Sequence, residues 1–210
     1  MMELEKSMQH VCVVGLNWGD EGKGKIVDVL ATDVDAVVRY QGGANAGHTV
    51  YIGDVRHVLH HLPMGVLHEG ILAVLGNGMV LEPLKLLEEV NSLPEEAVQR
   101  IRISDRAHVV LPYHCAVEKL HEERAERPIG TTLRGIGPAY QAKYGRIGIR
   151  MGDIMEPGFI EDVLPKRLAE HSEVLGVAGE GIDEAVRICT QLRDRLSQQV
   201  TDTRRLLQRL

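Results

Sequence analysis

Apolar residues fall along this chain in short, β-branched runs separated by glycine-rich polar stretches. His10–Leu16 (HVCVVGL) is one such run, bounded by glycine, and it predicts a buried strand. The glycine-rich loop Asn17–Gly24 follows, and Lys25–Ala31 then has the apolar spacing of a helix start. Ala36–Tyr40 (AVVRY) predicts a second strand that runs into the loop Gln41–Thr49. Val50–Ile52 and Val55–Leu62 flank Gly53-Asp54, a two-residue hairpin signal. Ile71–Leu75 predicts a further buried strand, stopped by Gly76-Asn77-Gly78. Leu84–Val90, with Pro83 in its first turn, and Pro112–Glu126 predict helices. Ile129–Gly148 reads as one long glycine-rich loop. From Glu180 to Leu210 the residues Ile182, Ala185, Cys189, Leu192, Leu196, Val200, Leu207 and Leu210 recur at helical spacing, which predicts one apolar stripe on a helical segment. Strands alternating with helices predict an α/β fold over residues 1–210, a single domain with a mostly parallel sheet, flanking helices and ligands at the strand ends.

Composition narrows the class. The 210 residues are 44% hydrophobic and 26% charged, as expected of a globular chain rather than a disordered or fibrous one. No apolar run approaches the length a bilayer span needs, and the polar stretch Met1–His10 has no apolar centre, so neither a membrane segment nor a secretory signal is expected. With 24 Lys+Arg against 30 Asp+Glu the net charge is −6, which disfavours a nucleic-acid partner. Anionic ligands would have to be met by local cations and backbone amides. Cys12, Cys115 and Cys189 form neither a metal pair nor an even disulfide set, so a reducing cytoplasm is expected, with all three as small packing residues. With one Trp and one Phe, the core must be built from Val, Leu, Ile and Ala.

Candidate chemistry concentrates in three glycine loops. Asn17–Lys25 (NWGDEGKGK) follows the first predicted strand, a phosphate-loop-like arrangement in which glycines let the backbone approach an anion and a helix N-terminus points N–H groups at it. Gly19 to Lys25 fits G-x-x-x-x-G-K, but Ile26 stands where a Ser or Thr would bind Mg²⁺; Asp20, inside the loop, is the obvious alternative oxygen. Gln41–Thr49 (QGGANAGHT) follows the second strand and should lie beside the first loop, presenting Asn45, His48 and Thr49, with His48 the best general acid or electrostatic candidate. Gly130–Tyr140 (GTTLRGIGPAY) looks like another anion cradle, with Lys143 and Arg146 following. His57, His60 and His61 on the predicted hairpin have no carboxylate or thiol nearby in sequence and do not make a convincing zinc site. His114 and His121 read as surface or cap residues.

Together, Asn17–Asp28, Val37–Thr49, Val74–Glu89 and Ile129–Tyr140 resemble adenylosuccinate synthetases, the GTP-dependent ligases of purine (AMP) biosynthesis. The resemblance implies that IMP, L-aspartate and GTP give adenylosuccinate, GDP and phosphate, with Mg²⁺, through a 6-phosphoryl-IMP intermediate. It implies Asp20 as general base and Mg²⁺ ligand, His48 as the group stabilising charge on the leaving GDP, Lys23 as a catalytic cation, and the Gly47 carbonyl as a second metal contact. Gly19, Asp20, Glu21, Gly22, Lys23, Gly24, Lys25, Gly47, His48 and Thr49 would contact GTP. Asp20, Glu21, Gly22, Lys23, Asn45, Ala46, Gly47, His48 and Thr132 would contact IMP. Arg146 would reach the IMP phosphate of a neighbouring subunit, which implies a homodimer, and Arg134 matches an active-site arginine. Leu133 stands where the family has glycine, Asn17 where it usually has Gln, and Ile147 where a second arginine is common. The chain resembles the N-terminal half of such enzymes, so the fold would be incomplete relative to the family. The alternative is a truncated, non-catalytic fragment that binds nucleotide phosphate or pairs with a complete subunit through the stripe Ile182–Leu210.

Overall fold

The computed structural model describes residues 10–17, 21–52, 55–128, 130–174, 176–177, 179 and 181–210, with the side chains of 48, 50–57 and 174 left aside. The centre is a parallel sheet of β1 (Ala36–Gly42), β4 (Leu72–Leu81), β5 (Ile101–Ser104), β6 (His108–Val109) and β7 (Val200–Thr201), in which β1-β4-β5-β7 are successive neighbours and β6 pairs with the end of β4. β2 (His48–Ile52) and β3 (Val55–Leu59) form a separate antiparallel hairpin across the expected Gly53-Asp54 position. The helices are α1 (Lys23–Ala31), α2 (Pro83–Asn91), α3 (Glu95–Val98), α4 (Pro112–Arg124), α5 (Ile136–Tyr144), α6 (Met151–Met155), α7 (Leu164–Val174), α8 (Ile182–Leu196) and α9 (Thr203–Leu207).

Ten-residue β4 is the spine. Its Ala73, Val74, Leu75, Met79, Val80 and Leu81 are fully buried. Gly76-Asn77-Gly78 does not stop this strand, contrary to expectation. A Cβ on Gly78 would stand 2.3 Å from the Tyr40 carbonyl oxygen and one on Gly76 would stand 3.0 Å from the Tyr40 Cα. The glycines therefore allow β1 to approach where its register against β4 shifts, between Arg39 and Gln41.

Three other expectations are corrected. His10–Leu16 is not a strand: no described strand runs beside it, and Val11, Val14 and Leu16 are 49%, 61% and 94% exposed, so an apolar run without a neighbour to ladder onto remains unpaired. Cys12 is exposed with it and is no packing residue. The long loop Ile129–Gly148 contains helix α5. Gly135, at φ 70, caps its start, and Pro138, Ala139 and Ala142 bury its inner face. The stripe from Ile182 to Leu210 is not one helix. α8 ends at Leu196, and β7 then adds to β5 before Asp202 caps α9 by accepting from Arg204 N–H at 3.1 Å and Arg205 N–H at 3.2 Å. Nor is that stripe an exposed docking face. Ala185, Cys189, Leu192 and Leu196 are buried in the main core. The low aromatic content is answered as expected, since that core is chiefly Val, Leu, Ile, Met and Ala around Tyr113. Among the described residues no helix is long and apolar enough to cross a membrane.

Candidate functional site

β1 delivers its loop, residues 43–47, at the C-terminal end of a parallel strand, where open α/β sheets place ligands. Four side chains from four parts of the chain clasp it. Tyr140, on α5, accepts from the Gly42 N–H at 2.8 Å and donates to the Gly78 carbonyl at 3.0 Å. Arg39 donates through Nη2 to the Gly43 carbonyl at 2.8 Å and through Nη1 to the His60 carbonyl. Arg134 donates to the Ala44 carbonyl, which joins the third loop to the second. His60 Nδ1 lies 3.2 Å from the Ala44 oxygen and 3.0 Å from the Ala46 oxygen. With the backbone groups of 42, 43, 44 and 46 thus occupied, Asn45 and Gly47 are the exposed positions that the loop presents.

Behind the clasp lies a buried charge. Glu89, on α2 and 4% exposed, accepts from the His60, His61 and Leu62 amides at 2.8 to 3.1 Å. Burial lowers the affinity of Arg39 for its proton, and the charge of Glu89 opposes that shift. His61 is buried and kept neutral: burial first, then the charges of Arg39 and His60, lowers its pKa to about 3. Its Nε2 accepts from the Glu82 N–H at 3.0 Å, so His61 is a core residue, and neither it nor His60 belongs to a continuous strand through Leu62 as expected, because β3 ends at Leu59.

The first loop enters α1 through Gly22, which has φ 80 and no side chain to cap the helix, leaving N-terminal amides available to an anion. Lys23 pairs with Glu21, whose other oxygen accepts from the Asn17 N–H at 3.0 Å. The hydrogen bond from Lys23 holds the Glu21 carboxyl down at about 2. Lys25 is exposed. Helix α1 packs against β1 and β2, and β2 opens with His48. Gly19 and Asp20 lie outside the described residues, as does the side chain of His48; Thr49 is exposed.

The third loop is tied down where Gly135 N–H donates to the buried Glu118 carboxylate at 2.6 Å. Thr132 is exposed two residues before Arg134. Arg146 is not drawn to the loops. It is exposed at the far end of α5, in the left-handed conformation at φ 62, about 13 Å from that helix's start by its length. Lys143 turns away from any cradle, donating to the Asn77 carbonyl at 2.8 Å and lying 3.2 Å from His108 Nδ1. His121 is exposed, whereas His114 is a buried cap whose Nδ1 accepts from the Leu111 N–H at 2.9 Å. Cys189 is buried, and Cys115 is half-buried.

Among the described residues no three His, Cys, Asp or Glu side chains group as a metal cluster. Mg²⁺ requires less of a protein, commonly one or two carboxylates with phosphate oxygens and water. Of the two oxygens expected from the sequence to meet such a metal, the carbonyl of Gly47 is at an exposed position and Asp20 lies outside the described residues.

Residues 12–210 match the family model described as adenylosuccinate synthetase. A curated adenylosuccinate synthetase from Leuconostoc citreum is 45% identical over 206 residues, covering 95% of this chain and 48% of that protein. One from Oleidesulfovibrio alaskensis is 47% identical over 169 residues, covering 78% of this chain and 40% of that protein. The solved structure of fully ligated adenylosuccinate synthetase from Plasmodium falciparum superposes with a TM-score of 0.86 at 34% identity, covering 93% of this chain and 47% of that one. The chain spans about half the length of these relatives.

Proposed function

The chain belongs to the adenylosuccinate synthetase family, and from that premise we propose that it carries the phosphoryl-transfer part of a GTP-dependent ligase that joins IMP to L-aspartate. The observation that carries the reading is the clasped turn at the end of β1, held by Tyr140, Arg39, Arg134 and His60, together with the uncapped N-terminus of α1.

Asp20 takes the N1 proton of IMP, which makes the 6-oxygen nucleophilic enough to attack the γ-phosphate of GTP. The amides of Gly22, Lys23 and Gly24, with the Lys23 ammonium, stabilise the charge of the transferring phosphoryl group. For that, Lys23 must exchange its bond to Glu21 for one to phosphate. His48 stabilises charge on departing GDP. Asn45, Ala46 and Thr132 orient IMP, and the amine of aspartate then displaces phosphate from C6. Asp20 and the Gly47 carbonyl would hold Mg²⁺, which would supply neutralisation of phosphate charge. Arg146, exposed at the outer end of α5, reaches the IMP phosphate bound by a second subunit in a cytoplasmic homodimer.

The test is phosphate release by the purified chain with GTP, IMP, aspartate and Mg²⁺, omitting one component at a time. Release that needs all of them and disappears in Asp20→Asn supports the ligase. If nothing is released while GTP and IMP still bind, self-sufficient turnover is wrong and the chain is a binding fragment. If neither nucleotide binds, the reading of the site is overturned.

A further inference from the structure

We propose that His60 is a positioning residue for the turn that leads into Gly47 and His48, held to that task by Glu89; the proposal rests on the site reading given above. His60 is fixed on both sides of its own backbone. Its N–H donates to Glu89 Oε1 at 2.8 Å, and its carbonyl accepts from Arg39. Glu89 also takes the next two amides, from His61 and Leu62, so the carboxylate fastens three consecutive residues. A buried carboxylate with this many amide donors is rigidly oriented, because each lost bond leaves a charge unsatisfied away from water.

From this anchored backbone the imidazole reaches across 14 to 16 residues to two carbonyls of one turn, Ala44 at 3.2 Å and Ala46 at 3.0 Å. Two carbonyl oxygens facing one nitrogen require that Nδ1 carry a proton. The ring also forms the floor under the next residue. A Cβ on Gly47 would lie 3.1 Å from His60 Cε1. One side chain therefore sets the direction of the peptide on either side of Asn45 and the height of Gly47. Those atoms lie directly before the Gly47 carbonyl assigned to the metal and before His48. An apolar residue of similar size could fill the floor, but it would leave the Ala46 oxygen without this donor.

The experiment uses the 210-residue chain and compares His60→Ala with His60→Asn, whose amide N–H falls close to the position of Nδ1. The readouts are the carbonyl carbon shifts of Ala44 and Ala46, the amide hydrogen exchange of Gly47 and His48, and the affinity for GTP with Mg²⁺ in the presence of IMP. In His60→Ala both carbonyl signals move, the two amides exchange about tenfold faster or more, Val74 and Ile103 keep their protection, and affinity falls about tenfold. In His60→Asn all of these return to within about threefold of the parent. His60→Gln, whose donor is displaced by one bond, replaces His60→Ala if that variant does not fold, and must behave unlike His60→Asn. Unchanged carbonyl shifts and exchange in His60→Ala, or equal losses in the Ala and Asn variants, overturn the positioning role. Should the parent chain bind neither nucleotide, the functional reading fails, while the shifts and exchange still decide whether His60 positions the turn.

Discussion

The Tyr140 hydroxyl accepts from the Gly42 N–H across 98 residues of sequence and donates its own hydrogen bond to the Gly78 carbonyl. It thus pins the end of β1 to both α5 and β4. Burial raises the phenol's pKa, so the donor persists at neutral pH and above. Tyr140→Phe should cost about 1–3 kcal/mol, because two backbone groups lose their partner together. Urea unfolding with amide exchange at Gly42 measures this; parental stability with unchanged exchange would contradict it.

Gly78→Ala should be more damaging. The new methyl would meet the Tyr40 carbonyl oxygen at 2.3 Å, and backbone cannot yield as a flexible side chain can. We expect a loss of about 2–4 kcal/mol and opening of the β1–β4 pairing, read as faster exchange along Val38–Gln41. A neutral substitution would mean that the two strands are not so closely apposed.

Leu133→Gly should act in the opposite direction. Leu133 holds φ 55 and is 48% exposed, so it bears left-handed strain and buries little. Relief of roughly 1–2 kcal/mol is partly offset by the greater freedom of glycine in the unfolded chain, leaving a net gain of about 0.5 kcal/mol. A lower urea midpoint for the variant would refute this.

Three buried histidines make the fold acid-sensitive. Burial is the first cause in each: His61 and His114 are lowered to about 3, and His108, beside Lys143 and Arg150, to about 4, from an ordinary value of 6.5. Between these values and 6.5 the unfolded chain binds protons that the native state refuses, so stability is complete above pH 6.5 and declines as pH falls below it. Each group costs at most about 1.4 kcal/mol per pH unit in that window. Unfolding free energy should therefore fall between pH 7 and pH 5, with a shallower slope in His61→Gln. Equal slopes in parent and variant would remove His61 from the account.

Local pattern and composition determined a good deal by themselves. The βα alternation, α1 after a glycine loop, the β2–β3 hairpin, α2 behind Pro83 and the buried face of α8 all follow from the spacing of apolar residues and the turn chemistry of glycine and proline. The loops that present Lys23, Asn45, Gly47 and Arg134 were legible for the same reason, and Asp20 was named by its place in one of them. Other features depended on neighbours. Glycines read as a stop in β4 became a site of close approach once Tyr40 lay against them, and His10–Leu16, apolar enough for a strand, remained exposed without one beside it. The tail after Leu196 left its helix to pair with β5. The clasp of Arg39, His60, Arg134 and Tyr140 was hidden most thoroughly, and Glu89 behind it, a charged residue on the buried face of α2, was its one outward sign. Hydrophobic spacing reports which face of an element is buried, whereas a hydrogen bond between Tyr140 and Gly42 depends on where two distant segments meet. Only the packed sheet decides that.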